Sequence, residues 1–166
     1  MGYGAQSALG PQEAAFLQTI SLSIIAASSG PDNIPAVSRA LGCRISPDNG
    51  KITLFFCAGD AHELLGHIAG NGTIAAVFSL PRTHQALQLK ATDAVAERPL
   101  DSDFKLVDAY RQAFVDHVGQ LGHPRPVVET MLACDHDDLV AVTFTPAAVF
   151  SQTPGPNAGH AIGAAK

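Results

Sequence analysis

Hydrophobic positions recur along the chain with two periods, and the switches between them mark the elements. From Leu87 to Val95 they alternate: Leu87, Leu89, Ala91, Asp93 and Val95 fall on one face, and Gln88, Lys90, Thr92 and Ala94 on the other. Successive side chains of a strand point to opposite sides, so the stretch 83–97 (THQALQLKATDAVAE) predicts one long strand. Its second face carries three hydrogen-bonding side chains in a row, turned either to water or to a ligand. Shorter strand-like runs precede it: 22–30 (LSIIAASSG), 34–46 (IPAVSRALGCRIS), 51–57 (KITLFFC) and 73–80 (TIAAVFSL). The tetrapeptide PDNG at 47–50 is turn-forming and gives the strongest hairpin signal in the chain. A last strand, 139–150 (LVAVTFTPAAVF), is interrupted at Pro146.

The helical period appears in four places. Residues 11–20 (PQEAAFLQTI) open with a proline and an early glutamate. Asp60 and Glu63 form a capping-box pattern ahead of Leu64, Leu65 and Ile68, and GNG at 70–72 ends that short amphipathic helix. Phe104, Val107, Phe114, Val118 and Leu121 predict the longest helix, from an Asp101 cap to Gly122. Residues 126–134 (PVVETMLAC) add a helical turn or two. Six strand-like stretches, mostly sequential, predict an α+β chain with a mainly antiparallel sheet that closes into a small barrel. Residues 1–152 read as a single domain, and 153–166 as a Gly/Pro-rich tail.

Composition narrows the partners. At 166 residues, 46% hydrophobic and 15% charged, the chain is neither disordered nor a coiled coil, and its apolar excess points to a surface covered by a second copy. Ten basic residues against fifteen acidic ones leave a net charge of −5, with the basic ones scattered singly. No stripe exists to track a phosphate backbone, so nucleic acid is not an expected partner. Cys43, Cys57 and Cys134 are odd in number, far apart and without a CxxC pair; they read as small buried hydrophobes of a reducing compartment, without a disulfide framework. No apolar run has membrane length and the N-terminus has no signal-peptide pattern, so the expected location is the cytoplasm. The start MGYGAQS satisfies the loose N-myristoylation pattern.

The sequence has no GxGxxG after a strand, no Walker loop, no GxSxG and no HExxH, so the corresponding chemistries lack their minimal signature. The Cys134-Asp135-His136-Asp137-Asp138 run offers many donors, but adjacent residues cannot all converge on one ion, and a polar loop is the expectation. His62 and His67 stand five apart on the short helix and do not share a face. No metal is expected.

The runs IPAVSRALG, PDNGKITLFFCAGDAHELLGHIAGNGTIAAVFS and THQALQLKATDAVAE, over roughly residues 14–152, resemble the pyridoxamine 5′-phosphate oxidase-like family of FMN-binding split barrels. The resemblance implies a six-stranded antiparallel split β-barrel that forms a homodimer, with FMN at the subunit interface and a small-molecule substrate. By resemblance, Arg39 matches the family's strand-two arginine. Phe56, Cys57 and Ala58 match the segment whose backbone lies beside the flavin ring, and Gln88 and Lys90 lie where polar side chains face it. His62 stands at the helix start, where the family usually has Arg or Lys; here the start reads Asp60, Ala61, His62, Glu63, and two carboxylates there oppose a phosphate. Read alone, Arg39 could equally pair with an acidic neighbour, and Gln88 and Lys90 could face solvent. Three functions follow as expectations: a flavin-dependent oxidoreductase without strong acid or base side chains, a non-catalytic flavin- or haem-binding protein with His62, His84 or His123 as axial ligand, or a dimer that has lost its ligand.

Overall fold

The computed structural model describes residues 8–162; the MGYGAQS start and its acylation pattern lie outside them, as do the last four residues of the tail. Turn chemistry is obeyed first. Strands β3 (Cys43–Ile45) and β4 (Ile52–Cys57) form the expected hairpin, with Cys43 opposite Leu54 and Ile45 opposite Ile52. Asn49 takes φ 56°, and the Asp48 carboxylate accepts from the Ser46 hydroxyl at 2.5 Å and the Gly50 N–H at 2.9 Å. The side chain thus closes the turn that Asn and Gly permit.

The remaining elements are α1 (Pro11–Leu17), β1 (Ser23–Ser29), β2 (Pro35–Arg39), α2 (His62–Asn71), β5 (Ile74–Ser79), β6 (Ala86–Ala91) and β7 (Val95–Glu97). Then come α3 (Asp101–Gly119), α4 (Arg125–Met131), a 3₁₀ turn at His136–Asp138, β8 (Leu139–Phe144), β9 (Ala148–Ser151) and β10 (Ala161–Ile162). All pairings are antiparallel. They build a six-stranded sheet, β10-β9-β6-β5-β1-β2, and a four-stranded sheet, β3-β4-β8-β7.

The chain is therefore α+β and antiparallel as expected, but its six-stranded sheet is not closed on itself. The six strand-like stretches are all present, and three of them bend from one sheet into the other. The stretch 34–46 turns at Gly42, whose φ of 143° favours glycine. The stretch 139–150 turns around Pro146, which has no N–H for a ladder. The stretch 83–97 turns between Ala91 and Val95: Leu87, Leu89 and Ala91 are buried as the alternation requires, but Asp93 and Val95 are exposed and Ala94 is buried. Asp93 is occupied at the bend, where its carboxylate accepts the Thr145 N–H at 2.9 Å and so ties this crossover to the one at Pro146.

The core lies between the sheets and under α2 and α3, built on Phe55, Phe56, Phe78, Phe144, Leu54 and Leu89, all with at most 1% of their surface exposed. Helix α3 is locked to β3 by a buried ion pair. Asp103, 1% exposed, accepts from Arg44 Nε at 2.8 Å and Nη2 at 3.3 Å, and also from the Leu100 N–H at 2.8 Å. The helix starts on that last bond, which satisfies one of its free amides, rather than on an Asp101 cap. Helix α2 likewise does not use the Asp60–Glu63 box; its N-cap is Ala61, without a side-chain cap. It ends as expected at Gly72, φ 67°.

The expectation for the cysteines is corrected in part. Cys57, at the end of β4, and Cys134, in the loop after α4, form a disulfide across 77 residues, with Cα atoms 5.6 Å apart. The fold makes the pair: β8 runs beside β4 with Leu139 opposite Cys57, which carries the preceding loop back over the strand end. Cys43 is free, and burial pushes its thiol up to about 12.

Candidate functional site

Strand pairing decides which predicted site residues can meet. Residues directly opposite in neighbouring strands share a face. Arg39 stands opposite Ile25, Ile25 opposite Val77, Val77 opposite Gln88, and Gln88 opposite Phe150. One pleat along, Val37, Ala27, Ala75, Lys90 and Ala148 form a parallel row. These are the residues that the buried pattern leaves outward, because Ala26, Ala76, Phe78 and Leu89 point into the core. Arg39, Gln88 and Lys90 are thus brought onto one outward face, floored by small and β-branched side chains. Three strand spacings of about 4.8 Å separate Arg39 from Gln88, or about 14 Å.

Each polar residue on this face is held. Arg39 donates from Nη1 to Ser23 Oγ at 2.9 Å and lies 5.8 Å from the centre of the Phe114 ring; among the described residues no carboxylate forms an ion pair with it. Gln88 accepts through Oε1 from Gln152 Nε2 at 3.1 Å. Lys90 is exposed, with Nζ 5.1 Å from the centre of the Phe150 ring, and borders a cleft of about 360 Å³ with Ser29, Thr73 and Thr92. Ser23, Phe114, Phe150 and Gln152 were not predicted as site residues. Nothing local signals them, because their roles come from register and from the return of the chain after β9.

The other predicted residues lie elsewhere. Phe56 is fully buried, Cys57 is in the disulfide, and Ala58 donates its N–H to the Asp138 carbonyl at 2.8 Å. All three belong to the end of β4, in the four-stranded sheet. His62 is exposed on α2 and lines a cleft of about 390 Å³ with Asp32, Glu63 and His67. His67 is fixed there, its Nδ1 3.0 Å from the Ser28 carbonyl, and Gly30 leaves room for the ring, since a Cβ would sit 2.6 Å from Nε2. The carboxylates of Asp32 and Glu63 make this cleft a poor place for an anion. His84, at φ 60°, lies in the β5–β6 turn and His123 follows α3; neither is on the outward sheet face. Among the described residues no group of three or more His, Cys, Asp or Glu is arranged to hold a metal ion, and no helix is long and apolar enough to cross a membrane.

No family model and no curated protein matches the sequence. Solved structures do match. HupZ of Group A Streptococcus is 15% identical and aligns over 91% of this chain and 100% of its own at a TM-score of 0.53. A pyridoxamine 5′-phosphate oxidase-related, FMN-binding protein of Nostoc punctiforme is 14% identical, with 90% of this chain and 87% of that one covered, at 0.50. A Clostridium acetobutylicum protein related to general stress protein 26, of the pyridoxinephosphate oxidase family, is 15% identical, with 86% and 87% covered, also at 0.50. At these identities the likeness is one of fold, and the chain shares the fold of the pyridoxamine 5′-phosphate oxidase-like proteins.

Proposed function

We propose that the chain is an FMN-binding split-barrel protein that pairs as a homodimer through the outward face of its six-stranded sheet and acts as a flavin-dependent oxidoreductase on a small molecule. One observation carries the reading: Arg39, Gln88 and Lys90 share that face, with small and β-branched side chains between them. The residues fit the ring better than they fit a phosphate at the start of α2, where Asp60 and Glu63 repel it. The phosphate therefore falls to Arg39 or Lys90, whose present contacts are a hydroxyl and aromatic rings rather than carboxylates.

In this reading Gln88 orients the ring through its amide, and a second copy covers exposed Val37 and half-buried Phe150 and excludes water. The Phe56–Ala58 segment offers only backbone groups, and His62 stays at the edge of its own cleft. The flavin, when bound, supplies hydride acceptance and delivery; the chain supplies binding and orientation. A second reading is a non-catalytic flavin- or haem-binding protein on the same fold, while the acidic α2 start is consistent with a dimer that has lost its ligand.

The test is incubation of purified protein with FMN, desalting and absorbance. Retained flavin bands are expected, and Arg39→Ala should weaken retention by about 1.5–3 kcal/mol, or roughly 10- to 150-fold, if it makes a charge-assisted bond to phosphate. Protein that stays colourless sinks the flavin reading, and a Soret band after haem addition moves the conclusion to the second. Light scattering reads the dimer, and a monomer mass independent of concentration contradicts it.

A further inference from the structure

The geometry points to Cys57–Cys134 as a reversible thiol–disulfide exchange site that locks the loop at 132–138 over the end of β4 and is opened by a dithiol reductant. Three observations support it. The Cα separation of 5.6 Å lies at the most common value for a disulfide, so closing and opening ask for little backbone movement. Both cysteines are half-buried, and Ala133 and the four residues from Asp135 to Asp138 are exposed, so the bond is within reach of an attacking thiolate. Apart from the disulfide the loop is held by a few contacts: the Ala58 N–H donates to the Asp138 carbonyl at 2.8 Å, Arg111 Nη1 reaches the Cys134 carbonyl at 3.3 Å, and His136 meets an exposed Asp108 carboxylate at 3.2 Å and the Phe104 ring at 4.9 Å between centroids. Cys57 stands opposite Leu139 and the next residue, Ala58, bonds the Asp138 carbonyl, so the end of β4 is paired independently of the disulfide and the gain in freedom on reduction is expected in the loop.

The exchange balances. A dithiol's thiolate attacks Cys134 Sγ; the Sγ–Sγ bond breaks with its electron pair leaving on Cys57, which takes a proton. The second sulfur of the dithiol then attacks the mixed disulfide, Cys134 leaves and is protonated, and the reductant becomes a disulfide. Two electrons and two protons pass to the protein. Cys43 stands apart as an internal control: it is half-buried like the pair, but its thiol is pushed up to about 12 by desolvation, and a protonated thiol does not compete. The site adjoins the Phe56–Ala58 segment that the family resemblance sets beside a flavin, but thiol counts and amide exchange are read without flavin. Failure of the FMN test therefore leaves this proposal untouched.

Native protein exposed to diamide and then alkylated should show no reactive thiol, and one only after unfolding. Dithiothreitol under native conditions should expose two more, with mass-mapped labels on Cys57 and Cys134. Amide exchange should accelerate at least several-fold at 133–138 on reduction, leave the β1–β5 pairing unchanged, and recover with diamide. Cys134→Ser should copy the reduced exchange pattern; if that variant does not fold, the native reduction of the unaltered chain carries the same measurement. Two thiols that resist diamide, a bond that opens only on global unfolding, or loop exchange equal in both states would overturn the proposal.

Discussion

Replacing Asp103 should be the most damaging single polar substitution in this protein, and its size follows from its contacts. The carboxylate is 1% exposed and holds the Arg44 guanidinium through two bonds and the Leu100 amide through a third. Asp103→Ala removes a buried charge partner, for which about 3–5 kcal/mol is usual, together with a helix-start bond worth about 1 kcal/mol in comparable caps. Arg44, however, keeps 32% of its side-chain surface exposed, so its stranded charge can turn to water and the low end applies. The expected loss is about 4 kcal/mol, or about 8–16 °C in Tm for a chain of this length at roughly 2–4 °C per kcal/mol. Arg44→Met alone should cost as much, because it leaves the less accessible partner charged and unpaired. Urea denaturation of both single variants and the double variant reads the coupling. The double variant should be well short of the sum of the two, by more than about 1 kcal/mol. Additivity within about 0.5 kcal/mol, or an Asp103→Ala variant as stable as the parent, would refute the reasoning.

Four further outcomes follow at three residues. Gly72→Ala should destabilise by about 2 kcal/mol or more, since φ is 67° and the added Cβ would sit 2.7 Å from the Thr92 carbonyl oxygen; chemical denaturation checks it, and a neutral effect would contradict the close approach. Tyr110→Phe should cost about 1–2 kcal/mol by leaving the Leu22 carbonyl without the hydroxyl that donates to it at 2.6 Å. Burial also holds the Tyr110 phenol above the ordinary 10. Its raised pKa contributes stability fully present below about pH 10 and lost as pH rises through the folded value, so ultraviolet titration should show one tyrosine ionising late and together with unfolding. Asp48, held below the usual 3.8 first by the Ser46 hydroxyl and then by the Gly50 amide, should show the opposite sign. Its support of the hairpin is present above about pH 4 and fades in acid, which a carboxylate NMR titration would detect.

Features written in neighbouring residues were legible in the sequence. The PDNG turn, the αL stop at Gly72 and the long apolar stripe of α3 each depend on chemistry within a few positions, and each formed where expected. What was not legible depends on partners distant in sequence. The alternation through Leu87–Val95 cannot announce that the strand leaves one sheet for another after Ala91, because the bend is fixed by Asp93 meeting the Thr145 amide 52 positions away and by the Ala94 amide bonding the Gly72 carbonyl at 2.9 Å. The disulfide was missed for the same reason: spacing between Cys57 and Cys134 says nothing until β8 is laid beside β4. The outward polar stripe shows both limits at once. Alternation put Gln88 and Lys90 on the same side of one strand, but only the register through β5 and β1 adds Arg39 to that face and leaves Phe56 and His62 off it. A ligand reading drawn from residue types along the chain therefore gathers too many candidates. Strand pairing keeps three of them together on one face, and under the proposed function those three are the residues whose substitution should move flavin retention as a group.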